Sequence, residues 1–165
     1  MPSVSAPQLV LEPARAEDAA HVIALIGRVF AEYGFVWEAA TEVPDLFAFQ
    51  RHYGGGRGGF WVVRLDGRVV GSVGVERRPD GTAELHRLYL DTVLRGRGLG
   101  RALVDAVLAW CRASGIAHLA LWSDTRFDRA HALYERMGFR KTGERALAGD
   151  VNQTREYRYE RPVGD

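Results

Sequence analysis

Three consecutive runs between Phe60 and Leu90 constrain the fold of this chain more than any other feature. Phe60–Leu65, Arg68–Arg77 and Ala83–Leu90 carry strand-forming residues and are cut by Asp66-Gly67 and by Pro79-Asp80-Gly81. Both separators are hairpin turn signals, so the three runs predict an antiparallel meander. After Leu90 the apolar period changes. Leu99, Ala102, Leu103, Ala106, Val107 and Trp110 lie on one helical stripe, and Ser114-Gly115 supplies a stop signal. A helix of that length can bring the next strand, Leu119–Trp122, back parallel to Ala83–Leu90.

The remaining segments fit around this centre. Gln8–Glu12 reads as a short strand and Glu17–Tyr33 as an amphipathic helix ended by Gly34. Phe35–Thr41 reads as irregular, Pro44 and Asp45 open a short helix running to about His52, and Gly54–Gly59 is expected to have no regular structure. Asp128–Met137 predicts a helix closed by Gly138, followed by a strand pair at Phe139–Leu147 and Thr154–Glu160. The expected order is β, α, α, β, β, β, α, β, α, β, β. That is an α+β domain with a mixed, mostly antiparallel sheet flanked by helices. The 165 residues fit one domain spanning 1–165, with a core from about 8 to 160.

Composition narrows the function classes. The 22 basic and 21 acidic residues leave a formal charge of +1, which gives no general attraction to nucleic acid or to an anionic membrane. Cys111 is the only cysteine, so neither an internal disulfide nor a multi-cysteine metal site is expected, and no metal ligand set is assigned. A half-buried packing role is expected for it. Met1–Val10 has neither a basic start nor a long apolar run, and no stretch reaches the ~18 apolar residues of a membrane span. A cytoplasmic location is the expectation.

The residues that carry chemistry lie in one loop. Arg95-Gly96-Arg97-Gly98-Leu99-Gly100 sits between a strand and a helix start, where backbone N–H groups lack helical partners and the dipole is positive. Alternate glycines let an anion approach the backbone, while Arg95, Arg97 and Arg101 add charged donors. Such a loop can hold a phosphate or pyrophosphate. It lacks the lysine of a P-loop. A dinucleotide fingerprint fails on spacing: counted from Gly96 its third small residue falls on Arg101, and counted from Gly98 it falls on Leu103.

Three motifs agree in order and separation with a known family. Arg95-x-x-Gly98-x-Gly100, preceded by Glu84-Leu85-x-x-Leu88-Tyr89-Leu90 and followed by Ala130-x-x-Leu133-Tyr134-Glu135-Arg136-Met137-Gly138-Phe139, resembles the GNAT superfamily of N-acetyltransferases from about Gln8 to Tyr159. The resemblance implies that the backbone of Leu88, Tyr89 and Leu90 pairs with the pantetheine arm of acetyl-CoA. It also implies that the backbone from Gly96 through Arg97, Gly98, Leu99 and Gly100 to Arg101 holds the pyrophosphate. One position departs: many members carry Asn three residues before the alanine matched by Ala130, and here that residue is Phe127. Asp124, Thr125 and Arg126 are the neighbouring candidates to replace it.

The implied reaction moves an acetyl group to a primary amine by direct attack through a tetrahedral intermediate. It needs a neutral amine, a stabilised oxyanion and a proton for the leaving thiolate. Glu84 is the expected base, with His86 as its substitute on the same strand face, and backbone N–H groups near Leu90 would serve the oxyanion. Tyr134 is the expected acid, by the family's habit of a tyrosine there. Asp150, Asn152 and Glu156, with Tyr33, Phe35 and Trp37, are expected on the acceptor side, where acidic and aromatic groups suit a cationic amine. The acceptor is read as a small-molecule or peptide amine, and a homodimer stays open. A non-catalytic acetyl-CoA-binding module and a dinucleotide-binding protein are the alternatives.

Overall fold

The computed structural model describes residue 3 and residues 6–164. The opening residues read above for a leader lie partly outside the described residues. A seven-stranded sheet organises the chain: β1 (Leu9–Pro13), β2 (Gly58–Leu65), β3 (Arg68–Arg77), β4 (Ala83–Leu90), β5 (His118–Asp124), β6 (Arg140–Ala146) and β7 (Arg155–Pro162). Their spatial order is β1-β2-β3-β4-β5-β7-β6. Every neighbouring pair is antiparallel except β4 and β5, which run parallel as the crossover helix predicts.

Helices cover both faces. The crossover helix Leu99–Ala113 and the later helix Asp128–Arg136 pack over one face, where Leu103, Val107, Leu119, Leu121 and Tyr134 share a buried core. The other face carries Ala19–Glu32 and the short helix Phe49–Tyr53, with Val22, Ile26, Phe49 and Val62 at its centre. Together with Ala39–Glu42, the helices are α1 (Ala19–Glu32), α2 (Ala39–Glu42), α3 (Phe49–Tyr53), α4 (Leu99–Ala113) and α5 (Asp128–Arg136). Among the described residues, no helix is long and apolar enough to cross a membrane.

Several expectations are corrected. Gly58 and Gly59 belong to β2, paired with Glu76 and Val75. A Cβ on Gly58 would lie 2.3 Å from the Val75 carbonyl oxygen, so the glycine marks close backbone approach within the sheet. Part of the stretch expected to be irregular forms α2. The helix expected from Pro44 is divided into a 3-10 segment, Pro44–Ala48, and α3, because Ala48 leaves helical backbone geometry (φ −131°, ψ 46°). On α4 the buried face centres on Leu103, Val104, Val107, Leu108 and Cys111, with Ala102 and Ala106 only half-buried. Cys111 is therefore fully buried, and burial pushes its thiol up to about 11, which suits inert packing.

Candidate functional site

The site is organised by a bulge in β4. Ser72 pairs with Tyr89 and Gly74 with His86, so Arg87 and Leu88 together oppose the single residue Val73. Arg87 takes a left-handed backbone (φ 55°), and the Ser72 hydroxyl donates a 2.7 Å hydrogen bond to its carbonyl. A non-glycine residue there costs about 1–2 kcal/mol, so the surroundings must hold it. They do: Arg87 Nη2 and Nε donate to the buried carboxylate of Asp45 at 2.6 and 3.2 Å. Before the bulge, Leu85 faces the α4 core. Leu88 within the bulge and Leu90 beyond it pack on that core, while Tyr89 packs on the other.

The second determinant is where β4 and β5 part. Their pairing runs only from Ala83–Leu119 to Leu85–Leu121, although β4 continues to Leu90 and β5 to Asp124. Beyond Leu85 the β4 backbone therefore faces open space on its β5 side, with α5 alongside. Two cavities meet there and share Leu88, Tyr89, Phe127 and Ala130.

The first cavity, about 630 Å³, runs from this opening to the start of α4. Gly98 is the N-cap of α4 in left-handed geometry (φ 75°) and offers no side-chain cap, so the first N–H groups of the helix stay free. A Cβ on Gly100 would come 3.1 Å from Leu133, which keeps the floor of the cavity clear. All the residues expected at a cofactor line this cavity except Arg97, namely Leu88, Tyr89, Leu90, Arg95, Gly96, Gly98, Leu99, Gly100 and Arg101. Arg95 is also tied to its neighbours. Its guanidinium is bound to Glu32 at the end of α1 and donates to the Leu90 carbonyl at 3.1 Å, so it braces the loop. Arg129 and Arg136, seven residues apart on α5, also line the cavity and make no ion pair among the described residues. Sequence reading missed them, although that spacing places both on one helix face.

The second cavity, about 310 Å³, is lined by charged and aromatic side chains. Glu84 and His86 are both in it, and His86 Nε2 lies 2.9 Å from Glu84 Oε1. His86 Nδ1 lies 3.4 Å from Glu76 Oε1 and 3.4 Å from the Tyr53 hydroxyl, and Glu76 in turn meets His52 at 3.1 Å. Burial disfavours charge on the imidazole, but hydrogen bonds to Glu76 and Glu84 outweigh it and raise its pKa above 6.5. Burial likewise pushes the Glu84 carboxyl up, while the hydrogen bond and charge of His86, with Arg78 and Arg145, bring it below its ordinary value. Glu84 is thus ionised at neutral pH.

Tyr134 is buried (3% exposed), lines the second cavity, and its hydroxyl makes no hydrogen bond among the described residues. Burial pushes its phenol well up, so it stays protonated. Phe127 forms an aromatic wall between the cavities, with ring centroids 4.9 Å from Tyr33 and 6.3 Å from Tyr89. Of the residues expected on the acceptor side, Phe35, Asn152 and Glu156 line the second cavity, whereas Tyr33 lines the first. Trp37 packs into the core on Phe30, and Asp150 turns inward to accept from Thr154 and the Asn152 N–H. Asp124 is bound to Arg126 at 2.7 Å.

Known proteins share this fold. The described fold resembles a GNAT acetyltransferase from Staphylococcus aureus Mu50 with a TM-score of 0.81 at 20% identity, covering 95% of this chain and all of that one. An acetyltransferase structure from Salmonella typhimurium, solved with its cofactor acetyl-CoA, matches with a TM-score of 0.74 at 16% identity over 96% of this chain and 95% of that one. N-acetylaspartate synthetase of Danio rerio is 35% identical over 105 residues, 63% of this chain and 36% of that protein. N-acetyltransferase 8F1 of Rattus norvegicus is 36% identical over 128 residues, 74% of this chain and 56% of that protein. The chain thus spans only about a third to a little over half of the length of these curated relatives. Residues 26–139, which include the β4 bulge, the glycine loop and α5, match the acetyltransferase (GNAT) family, and the chain belongs to that family.

Proposed function

We propose that the chain is a single N-acetyltransferase domain that moves the acetyl group of acetyl-CoA to a primary amine by direct attack. The observation that carries this reading is the opening between β4 and β5. It joins a cavity of free N–H donors and cations to a cavity holding an ionised carboxylate and a protonated phenol. When bound, acetyl-CoA would supply an activated thioester. The N–H groups at the start of α4 suit its pyrophosphate, Arg101, Arg129 and Arg136 suit its phosphates, and the unpaired β4 edge from Leu88 to Leu90 suits an amide-bearing arm.

On the acceptor side, Glu84 takes the proton of the incoming ammonium, directly or through water, and His86 holds the carboxylate in place. His86 is the weaker choice of base because its raised pKa favours the imidazolium, which has no lone pair to offer. Tyr134 gives its proton to the departing thiolate. A phenol with a raised pKa is a modest acid, so its help belongs at the low end of the usual range. The relative named N-acetylaspartate synthetase makes aspartate one acceptor to test.

Release of free thiol from acetyl-CoA across a panel of amines tests the reading. Glu84→Gln is expected to lower kcat/KM by about 10² at neutral pH and to recover partly at high pH, where the amine is already neutral. Tyr134→Phe is expected to lower kcat by about 10² with acetyl-CoA affinity retained. Tight binding of acetyl-CoA with no thiol release on any amine would favour a non-catalytic binding module instead.

A further inference from the structure

The charges of the acceptor cavity are almost all spoken for. Arg87 is bound to Asp45, Arg145 to Glu156 at 2.8 Å, Asp124 to Arg126, and Glu84 to His86. Glu42, at the end of α2, is the exception. It lines the cavity and is half-buried, and its carboxylate makes no hydrogen bond or ion pair among the described residues. Arg87 and Tyr89 line the same cavity.

From this accounting we infer that the acceptor carries a second positive charge besides the amine that is acetylated, and that Glu42 receives it. The substrate class is a diamine or another amine with a cation at its far end. The inference rests on the acetyl-transfer reading and gives it an acceptor. A carboxylate half removed from water gains more from a partner cation than an exposed one does. The cavity offers an anionic acceptor no comparable vacancy, because its two arginines are each held by a carboxylate already. Phe127 supplies apolar surface for the chain between two cationic ends, while Phe35 and Trp122 already carry Arg126 and Arg145 over a ring face at 4.0 and 3.9 Å. Glu42 also stands in an unfavourable setting: burial first, then Asp150 and Glu38, push its carboxyl up against the attraction of Arg87. A bound cation reverses that balance.

Steady-state thiol release from acetyl-CoA, with diamines from diaminopropane to diaminohexane, the matching monoamines, and aspartate, tests this. The best diamine is expected to exceed its monoamine in kcat/KM by about tenfold or more. Glu42→Gln is expected to bring that ratio to within about twofold of one, and Glu42→Lys to push it below one. A ratio unmoved in Glu42→Gln overturns the inference, and so does a wild-type preference for monoamines or aspartate, while both leave acetyl transfer standing. If no amine releases thiol although calorimetry shows acetyl-CoA bound, the transfer reading falls and this inference with it. Circular dichroism of the variants separates misfolding from a lost charge, and Glu42→Asp, which keeps the carboxylate, is expected to retain most of the preference.

Discussion

On the α4 side of β4, the cavity presents main-chain N–H groups and glycines drawn from one short stretch, Gly96 to Arg101. On the other side, the second cavity is walled by side chains, and two of the contacts that fix them come from far away in the chain. Asp45 reaches 42 residues to Arg87, and Asn152 reaches 116 residues to Val36. The first kind of site depends on backbone shape and tolerates change wherever no bulk enters. The second depends most on the pair of Arg87 and Asp45, because removing one partner strands a charge that water reaches poorly.

Bulk in the backbone-built site should therefore have the largest effect. Gly100→Glu puts a side chain toward Leu133 and a negative charge beside the α4 N-terminus. Calorimetry should show no detectable acetyl-CoA binding with the fold intact. Retained affinity would mean that the α4 N-terminus is not the anion site.

The side-chain site is broken most sharply at Asp45. Asp45→Ala leaves the Arg87 guanidinium half-buried without its carboxylate and takes the hydrogen-bond acceptor from Tyr53, at 2.5 Å in the native fold. A loss of about 3 kcal/mol is expected, or about 6–12 °C in thermal midpoint. A shift under 2 °C, by the same scaling, would show that the bulge does not need this pair.

The same network sets a pH signature. Burial raises the Asp45 pKa, but hydrogen bonds and charge from Arg87 outweigh it, so the folded value lies below 3.8. A depressed carboxyl contributes stability that is present above its unfolded pKa and lost as pH falls through the folded one, so wild-type stability should drop below about pH 4. Asp45→Asn should flatten that limb. His86 has the opposite sign. Its folded pKa is raised above 6.5, so its contribution is full below that value and declines as pH rises through the folded one. Urea unfolding at several pH values checks both limbs.

The smallest effect is expected at the roof of the acceptor cavity. There Asn152 Oδ1 accepts the Val36 N–H at 2.8 Å and its Nδ2 donates to the Val36 carbonyl at 3.0 Å. Both bonds are exposed, so Asn152→Ala should cost only about 1 kcal/mol. Its useful readout is the split between substrates: KM for the amine should move severalfold while acetyl-CoA affinity holds. Equal changes in both would mean that the two cavities are mechanically one.

Local order was legible in the sequence wherever it depends on neighbours in the chain. Apolar period gave the strands and α4, the turn dipeptides gave the meander, and the helix length gave the parallel return to β5. The glycine loop was legible for the same reason, since free helix N–H groups and missing Cβ atoms belong to contiguous residues. Gly58 and α2 were misread because a glycine run and an aromatic stretch look irregular until a partner strand or a core is set against them.

What only the tertiary structure decided lies in β4 and its surroundings. Nothing in the letters of Leu85-His86-Arg87-Leu88 announces a left-handed residue at Arg87, since that conformation is held by Ser72 and Asp45, 15 and 42 residues away. The bulge moves Arg87 and Tyr89 to the acceptor side, and the early parting of β4 from β5 opens the space between the cavities. Ion-pair accounting is of the same kind. Which carboxylates are neutralised and which one is left over depends on charges brought together by folding, because Coulomb forces act through space and not along the chain.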